Sequence, residues 1–241
     1  MSDTASDVTV AFVHGAFADS SSWNAVIGRL QAAGVTTTAI PNPLRGITED
    51  AAYVASALRQ LPGRVLVVGH SYGGAVITNA VPMADNVVGL VYVAAFAPDE
   101  GETLMDIEGG SKDSVLTSAI QPLQYPTAQG TETEFRIDPA KFHDAFASDV
   151  SDADAAVMAA TQRPVSSLAF STPSGPPAWK ALPAWAVVAI GDKAAGSDVV
   201  LKMAKRAGAT ITEVEASHVV MVTQPQVVVD VVTEALASVA R

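Results

Sequence analysis

A serine framed by glycines is the first residue in this chain equipped for covalent chemistry. It stands in Gly69-His70-Ser71-Tyr72-Gly73, with a further Gly74 behind it. The segment fits G-x-S-x-G, in which the serine occupies a sharp strand-to-helix turn that lifts its hydroxyl over a sheet edge. The glycines let neighbouring backbone pass where a Cβ would clash. The free N–H groups at the start of the helix face any negative charge that develops beside the serine. A serine hydroxyl is a poor nucleophile without a base, and four histidines are available. His14 and His70 adjoin strand ends and are read as orienting loops through hydrogen bonds. His143 falls in a Pro-rich stretch. His218, in Glu215-Ala216-Ser217-His218, follows the last strand and is the expected base.

An imidazole base needs an acid to fix its tautomer and to stabilise its charged form. Asp192, in Gly191-Asp192-Lys193, precedes His218 by about one helix and one strand. The order Ser71, Asp192, His218 along the chain is the order that accompanies such a turn. Asp198, at the start of the following helix, and Asp99, after the fourth strand, are the alternatives. Acyl transfer also needs two donors for an oxyanion. The backbone N–H of Tyr72 is one. The loop His14-Gly15-Ala16-Phe17 supplies the other, with Ala16 preferred and Phe17 second.

These residues need a scaffold that brings them to one edge. Apolar runs predict strands over Val8–Val13, Val35–Ile40, Arg64–Val68, Asn86–Ala95, Trp185–Ile190 and Ala209–Val214. Between them, helical spacing marks Ser22–Ala33, closed by Gly34, and Thr48–Leu61, with Thr48 as its cap. Further helices are predicted after Ser71, over Ser197–Ala207 and over Gln224–Val239, the last with Pro225 at its first position. Strands alternating with helices predict an α/β fold: about six mostly parallel strands with helices on both faces. Continuous apolar runs suit strands buried on both faces. Loops after parallel strands open on one edge, so Ser71 and His218 meet there. Residues 99–180 differ. They hold seven of the fourteen prolines and no convincing strand, and short helices are predicted over Pro139–Ala147 and Ser151–Thr161. The stretch reads as a helical insertion between core segments 1–98 and 181–241, not as a second sheet domain.

Composition bounds the partners. The 241 residues are 49 % hydrophobic and 16 % charged, with a net charge of −11, the balance of a globular chain. So acidic a chain disfavours nucleic acid and anionic membrane surfaces. With no cysteine, disulfides and thiolate metal sites are excluded. The histidines are scattered and no HExxH occurs, so neither a metal nor another cofactor is expected. No basic and apolar leader and no run long enough to span a bilayer is visible. A cytoplasmic enzyme acting on a small molecule is the expectation, with a homodimer open.

On these residues the chain resembles the α/β-hydrolase family throughout its length. The marks are His14-Gly15, the GHSYGG segment Gly69–Gly74, and Ser217-His218. Among its branches it is similar to the compact one that includes plant methyl esterases and hydroxynitrile lyases, which lack the first two antiparallel strands of larger members. The resemblance implies a cap between the fourth strand and the acid strand, a Ser71–Asp192–His218 triad, and an oxyanion hole at Ala16 and Tyr72. Three departures matter. The lyases carry Thr where Gly15 stands and Lys where Val219 stands, which argues against cyanohydrin chemistry. Family members with an Asp nucleophile are excluded by Ser71. The acid segment is shorter than the family's usual one.

For the substrate, Met105, Phe135, Phe142, Phe146, Met158 and Phe170 are candidate pocket walls, with His143 or Gln162 as polar anchors. Phe17, Phe142, His143 and Val219 are the residues expected at the substrate. An apolar wall and the lack of cationic clusters point to a small, largely apolar ester. Lactone opening, C–C or amide cleavage and perhydrolysis would use the same residues, and a non-catalytic ligand-binding protein would use only the pocket.

Overall fold

A computed structural model describes residues 8–240. Six strands build the main sheet: β1 (Val8–Val13), β2 (Thr37–Ile40), β3 (Arg64–His70), β4 (Val87–Val93), and, after the insertion, a pair over Ala184–Ala189 and Thr210–Val214. Every neighbouring pair in it is parallel. β1 is buried at every position, and so is the strand Ala184–Ala189. That burial is why their sequences run apolar without alternation. The edge strands β2 and Thr210–Val214 are only partly buried.

The helices follow from the strand order. The chain steps from β1 outward to β2, returns past β1 to β3, and then moves steadily the other way. Right-handed crossovers made in opposite directions put their helices on opposite faces. Accordingly α1 (Asn24–Ala32) packs with the C-terminal helix Pro225–Val239, whereas α2 (Ile47–Arg59) packs with α3 (Tyr72–Ala80). The reversal between β1 and β3 opens a crevice at their carboxyl ends, where open α/β sheets bind ligands.

Helix starts show how local chemistry adjusts the expected boundaries. Gly34 closes α1 at φ 80°. α2 begins at Ile47 rather than being capped by Thr48. Asp50, inside its first turn, accepts from the N–H of Arg45 (3.0 Å) and of Gly46 (3.3 Å). A carboxylate there satisfies donors that a helix start leaves free.

The insertion corrects one expectation. It contains the expected helices, α6 (Pro139–Phe146) and α7 (Asp152–Thr161), after two short ones, α4 (Leu104–Gly109) and α5 (Leu116–Ala119). It also contains a three-stranded antiparallel sheet: β5 (Ile120–Thr127), β6 (Gly130–Ile137) and β7 (Val165–Ser166), in that order. Pro122 and Pro126 hid β5, because proline cannot donate to a ladder. They are tolerated because β5 is an edge strand, and both prolines face solvent. The sheet is tied to the core where Arg45 meets Glu134 at 2.7 Å and lies 4.5 Å over the Tyr125 ring. The remaining elements are α8 (Leu168–Ser171), β8 (Ala184–Ala189), α9 (Ser197–Arg206), β9 (Thr210–Val214), α10 (Val220–Thr223) and α11 (Pro225–Val239).

α3 can start directly over the strand ends only because two residues lack side chains. A Cβ on Gly73 would lie 2.5 Å from the Val13 carbonyl oxygen, and one on Gly74 2.5 Å from that of Phe96. Both obstacles are backbone and cannot rotate away. Gly73→Ala is therefore expected to cost about 1–3 kcal/mol of stability, the usual scale of overpacking. A urea unfolding midpoint equal to wild type would contradict this packing.

Candidate active site

Ser71 sits between the end of β3 and the start of α3, at φ 52° and ψ −126°. Non-glycine residues avoid this conformation, which costs on the order of 1–3 kcal/mol. The surroundings hold it there. The Ser71 N–H donates to the Val93 carbonyl (3.3 Å), and its own carbonyl accepts from Gly74 (2.9 Å) and Phe96 (3.2 Å). Gly15 crosses so closely that a Cβ on it would stand 2.7 Å from Ser71 Cβ.

His218 and Asp192 lie in the loops after β9 and β8, both almost fully buried. His218 Nδ1 is 2.8 Å from Asp192 Oδ2. The second carboxylate oxygen, Oδ1, accepts from the N–H of Ala194 (2.8 Å) and Ala195 (3.0 Å). Three interactions therefore fix the carboxylate and aim one oxygen at the imidazole. The ring of His218 meets Phe146 at 4.9 Å and His70 at 4.6 Å between centroids. From the cap, Asp149 holds the loop: it accepts from Ser217 N–H (2.9 Å), Ser217 Oγ and Thr223 Oγ1 (3.0 Å).

The other acids are engaged elsewhere. Asp198 accepts from Ser111 Oγ (2.5 Å) and Lys112 N–H (2.9 Å), joining α9 to the insertion. Asp99 pairs with Lys180 at 2.5 Å on the surface.

His14 and His70 act on loops, each through its ring nitrogens. His14 Nε2 accepts from the Asn42 N–H at 3.0 Å, which leaves Nδ1–H to donate to Gly15 O at 2.9 Å. Arg163, from the cap, reaches the same Nε2 (3.3 Å) and donates to Asn42 O (3.0 Å). Burial, with the Arg163 charge beside it, lowers the His14 pKa to about 4, so the ring stays neutral and keeps this pattern. His70 Nε2–H donates to the His218 carbonyl at 3.0 Å. Burial and the His218 ring drive its pKa well below the ordinary value. Its Nδ1 has no partner among the described residues.

Beside Ser71 and His218 lies a small cavity, with room for a water-sized sphere in only about 10 Å³, the space of roughly one water. Ala16, Phe17 and Tyr72 line it, together with Phe146 and Phe170 from the insertion. No hydrogen bond among the described residues occupies the N–H of Ala16 or of Tyr72. The Tyr72 hydroxyl donates to Asp50 at 2.7 Å, which anchors the start of α3 to that of α2. A larger surface groove, about 370 Å³, is lined by Glu102, Met203 and Arg206 among others and includes none of these residues.

Several expected pocket residues lie elsewhere. Phe142 stands behind Phe146, ring centroids 5.0 Å apart, and does not line the cavity. His143 bonds to the Val150 carbonyl (3.0 Å) and approaches Asp152 (3.1 Å) within the cap. Val219 is buried beside the cavity but is not part of its wall. Gln162 is taken up by the Ile137 backbone, accepting from its N–H at 2.8 Å. Met105 is exposed, Met158 lines a different groove, and Phe135 packs on Phe170 at 6.0 Å.

One wall residue had no signal in the sequence. Glu108, in α4, lines the cavity with a carboxyl whose Oε1 is sealed from solvent and unpartnered, although other parts of the residue reach the surface. Burial pushes its pKa up to about 8, and the Asp192 carboxylate adds to the rise.

The model of the alpha/beta hydrolase family matches residues 10–231. The chain belongs to the alpha/beta hydrolase family. Among solved structures, a methylesterase from Arabidopsis superposes with a TM-score of 0.78 at 20 % identity, covering 95 % of this chain and 99 % of that one. Polyneuridine aldehyde esterase gives 0.76 at 19 % identity, over 97 % and 99 %. The pyrethroid hydrolase of Sphingobium faniae gives 0.75 at 20 %, over 95 % and 98 %. Likeness at these identities is likeness of fold. No curated protein sequence matches. Among the described residues, no helix is long and apolar enough to cross a membrane, and no cluster of three metal-binding side chains occurs.

The Glu108 carboxyl yields a pH prediction. Unfolded, it releases its proton near the ordinary 4.5; folded, it keeps it to about 8. Between those values the folded state binds the extra proton, so wild type loses stability as pH rises, by up to ~1.4 kcal/mol per pH unit. Relative to Glu108→Gln, wild type should weaken steadily from pH 5 to 8 in urea unfolding. A constant difference across that range would contradict the burial.

Proposed function

We propose that this chain is a serine hydrolase that cleaves a small, largely apolar carboxylic ester through an acyl-enzyme on Ser71. The carrying observation is the Asp192 Oδ2–His218 Nδ1 contact of 2.8 Å, set at the same sheet edge as the strained Ser71. An Nδ1–H donated to Asp192 leaves Nε2 free to accept a proton. Ser71 Oγ attacks the ester carbonyl carbon while His218 takes the hydroxyl proton. The carbonyl oxygen becomes an oxyanion, received by the N–H groups of Ala16 and Tyr72. Collapse of the tetrahedral intermediate expels the alcohol, which receives the proton from His218. Water then repeats the sequence on the acyl-enzyme, with His218 as base, and releases the acid.

The cavity limits the size of the substrate. Its walls are mainly apolar, and its small free volume favours a short acyl group. The family and the esterases among the similar folds support ester cleavage. The close approach of Gly15 to Ser71 leaves no room for the side chain that the lyases carry there.

Ser71→Ala is expected to abolish p-nitrophenyl acetate hydrolysis while the protein still folds; unchanged turnover would overturn the reading. Asp192→Asn should lower kcat by roughly 10⁴, because an amide can hold the wrong imidazole tautomer. Retention of more than about a tenth of wild-type kcat would remove Asp192 from the mechanism. A parallel panel of lactones, amides and β-diketones separates ester cleavage from other reactions of the same residues: strong turnover of one of these beside negligible ester turnover would replace the substrate class.

A further inference from the structure

Glu108 takes no part in the chemistry above, yet it reaches the same cavity as Ser71 and His218. Its Oε1 is buried and unpartnered. Among the described residues no lysine, arginine or histidine forms an ion pair with it. The charge that acts on it is another carboxylate, that of Asp192. Much of the cavity wall around it is hydrocarbon, including Phe96, Leu116, Phe146 and Phe170.

A carboxylate here would have one oxygen sealed and uncompensated beside a like charge, an arrangement that favours the neutral acid. A neutral carboxylic acid has one O–H to donate. Among the described residues no hydrogen bond accepts it from Glu108, so a ligand in the cavity can supply the acceptor.

We propose that Glu108 is a specificity-determining residue whose carboxylic acid donates a hydrogen bond to the substrate, selecting esters that carry a second oxygen acceptor beyond the scissile group. The proposal rests on the ester-cleaving reading and narrows its substrate class. Burial and Asp192 raise the Glu108 pKa to about 8, so the O–H is present at neutral pH. A site built to hydrogen-bond a substrate group rejects analogues that lack the partner, because its own polar group is then left unpaired. A cationic ester is the competing occupant. It would favour the ionised carboxylate instead, and the test distinguishes the two.

Two matched ester pairs differ only by oxygen in place of a methylene: p-nitrophenyl methoxyacetate against butanoate, and 2-methoxyethyl acetate against butyl acetate. In at least one pair, Glu108→Leu should reduce the kcat/KM preference for the oxygen-bearing ester by about tenfold, the scale of one neutral hydrogen bond. Glu108→Gln, which keeps a neutral donor, should retain the preference. An unmoved preference in Glu108→Leu overturns the proposal. So does a loss in Glu108→Gln as large as in Glu108→Leu, above all if turnover of acetylcholine falls with it, since the carboxylate would then be reading a cation. A second readout needs no turnover. The infrared difference between wild type and Glu108→Gln at pH 6.5 should show the carbonyl band of a protonated acid, and its absence also overturns the proposal. If wild type cleaves none of the four esters, the ester reading fails and the substrate class with it. If it cleaves them through Ser71 with preferences blind to Glu108, only the role of Glu108 falls.

Discussion

The close crossing of backbones around Ser71 is the constraint on which the rest of the structure depends. The serine is held in a left-handed conformation that its side chain disfavours. It persists because β3, α3 and the loop after β1 meet there at distances that only glycine permits. Gly15 meets Ser71, Gly69 meets the carbonyl of Gly73, and Gly73 meets the carbonyl of Val13. The three other non-glycine residues with positive φ among the described residues, Phe17, Leu44 and Ala94, follow β1, β2 and β4 at the same carboxyl edge. Strain is thus gathered where the sheet presents its loops, and the buried strands beneath it are the rigid support.

That constraint organises the polar network as well. His14 ties the loop after β1 to Asn42, and Arg163 ties both to the cap. His70 holds the carbonyl of His218, and Asp149 holds Ser217 from the other side. Each of these contacts fixes a loop that carries, or adjoins, a residue of the site. Burial keeps His14 and His70 neutral, so the pattern of donors does not change near neutral pH.

The core was legible because its physics is local. Buried parallel strands write continuous apolar runs, and a strand–glycine–serine–glycine turn writes a five-residue pattern. Loops after parallel strands predict Ser71, Asp192 and His218 at one edge; in the structure they follow β3, β8 and β9, and Asp192 Oδ2 lies 2.8 Å from His218 Nδ1. The cap was less legible. Pro122 and Pro126 mask an edge strand whose alternation is weak, and His143 and Gln162 satisfy the cap's own backbone rather than facing the cavity. Phe142 was the right kind of residue one layer too far back. Glu108 left no trace in the sequence, because an acid on a short helix is normally a solvated one. Only the fold sets it beside Ala194 and Ala195 of the acid loop and seals its Oε1.

The central claim is that Ser71 forms a covalent acyl intermediate, and rapid-quench mass spectrometry with p-nitrophenyl acetate tests it most directly. The account predicts a transient acetyl group on the peptide that contains Ser71, lost as acetate is released and absent from Ser71→Ala. Turnover without any acyl group on Ser71, or with the label on another residue, would contradict it.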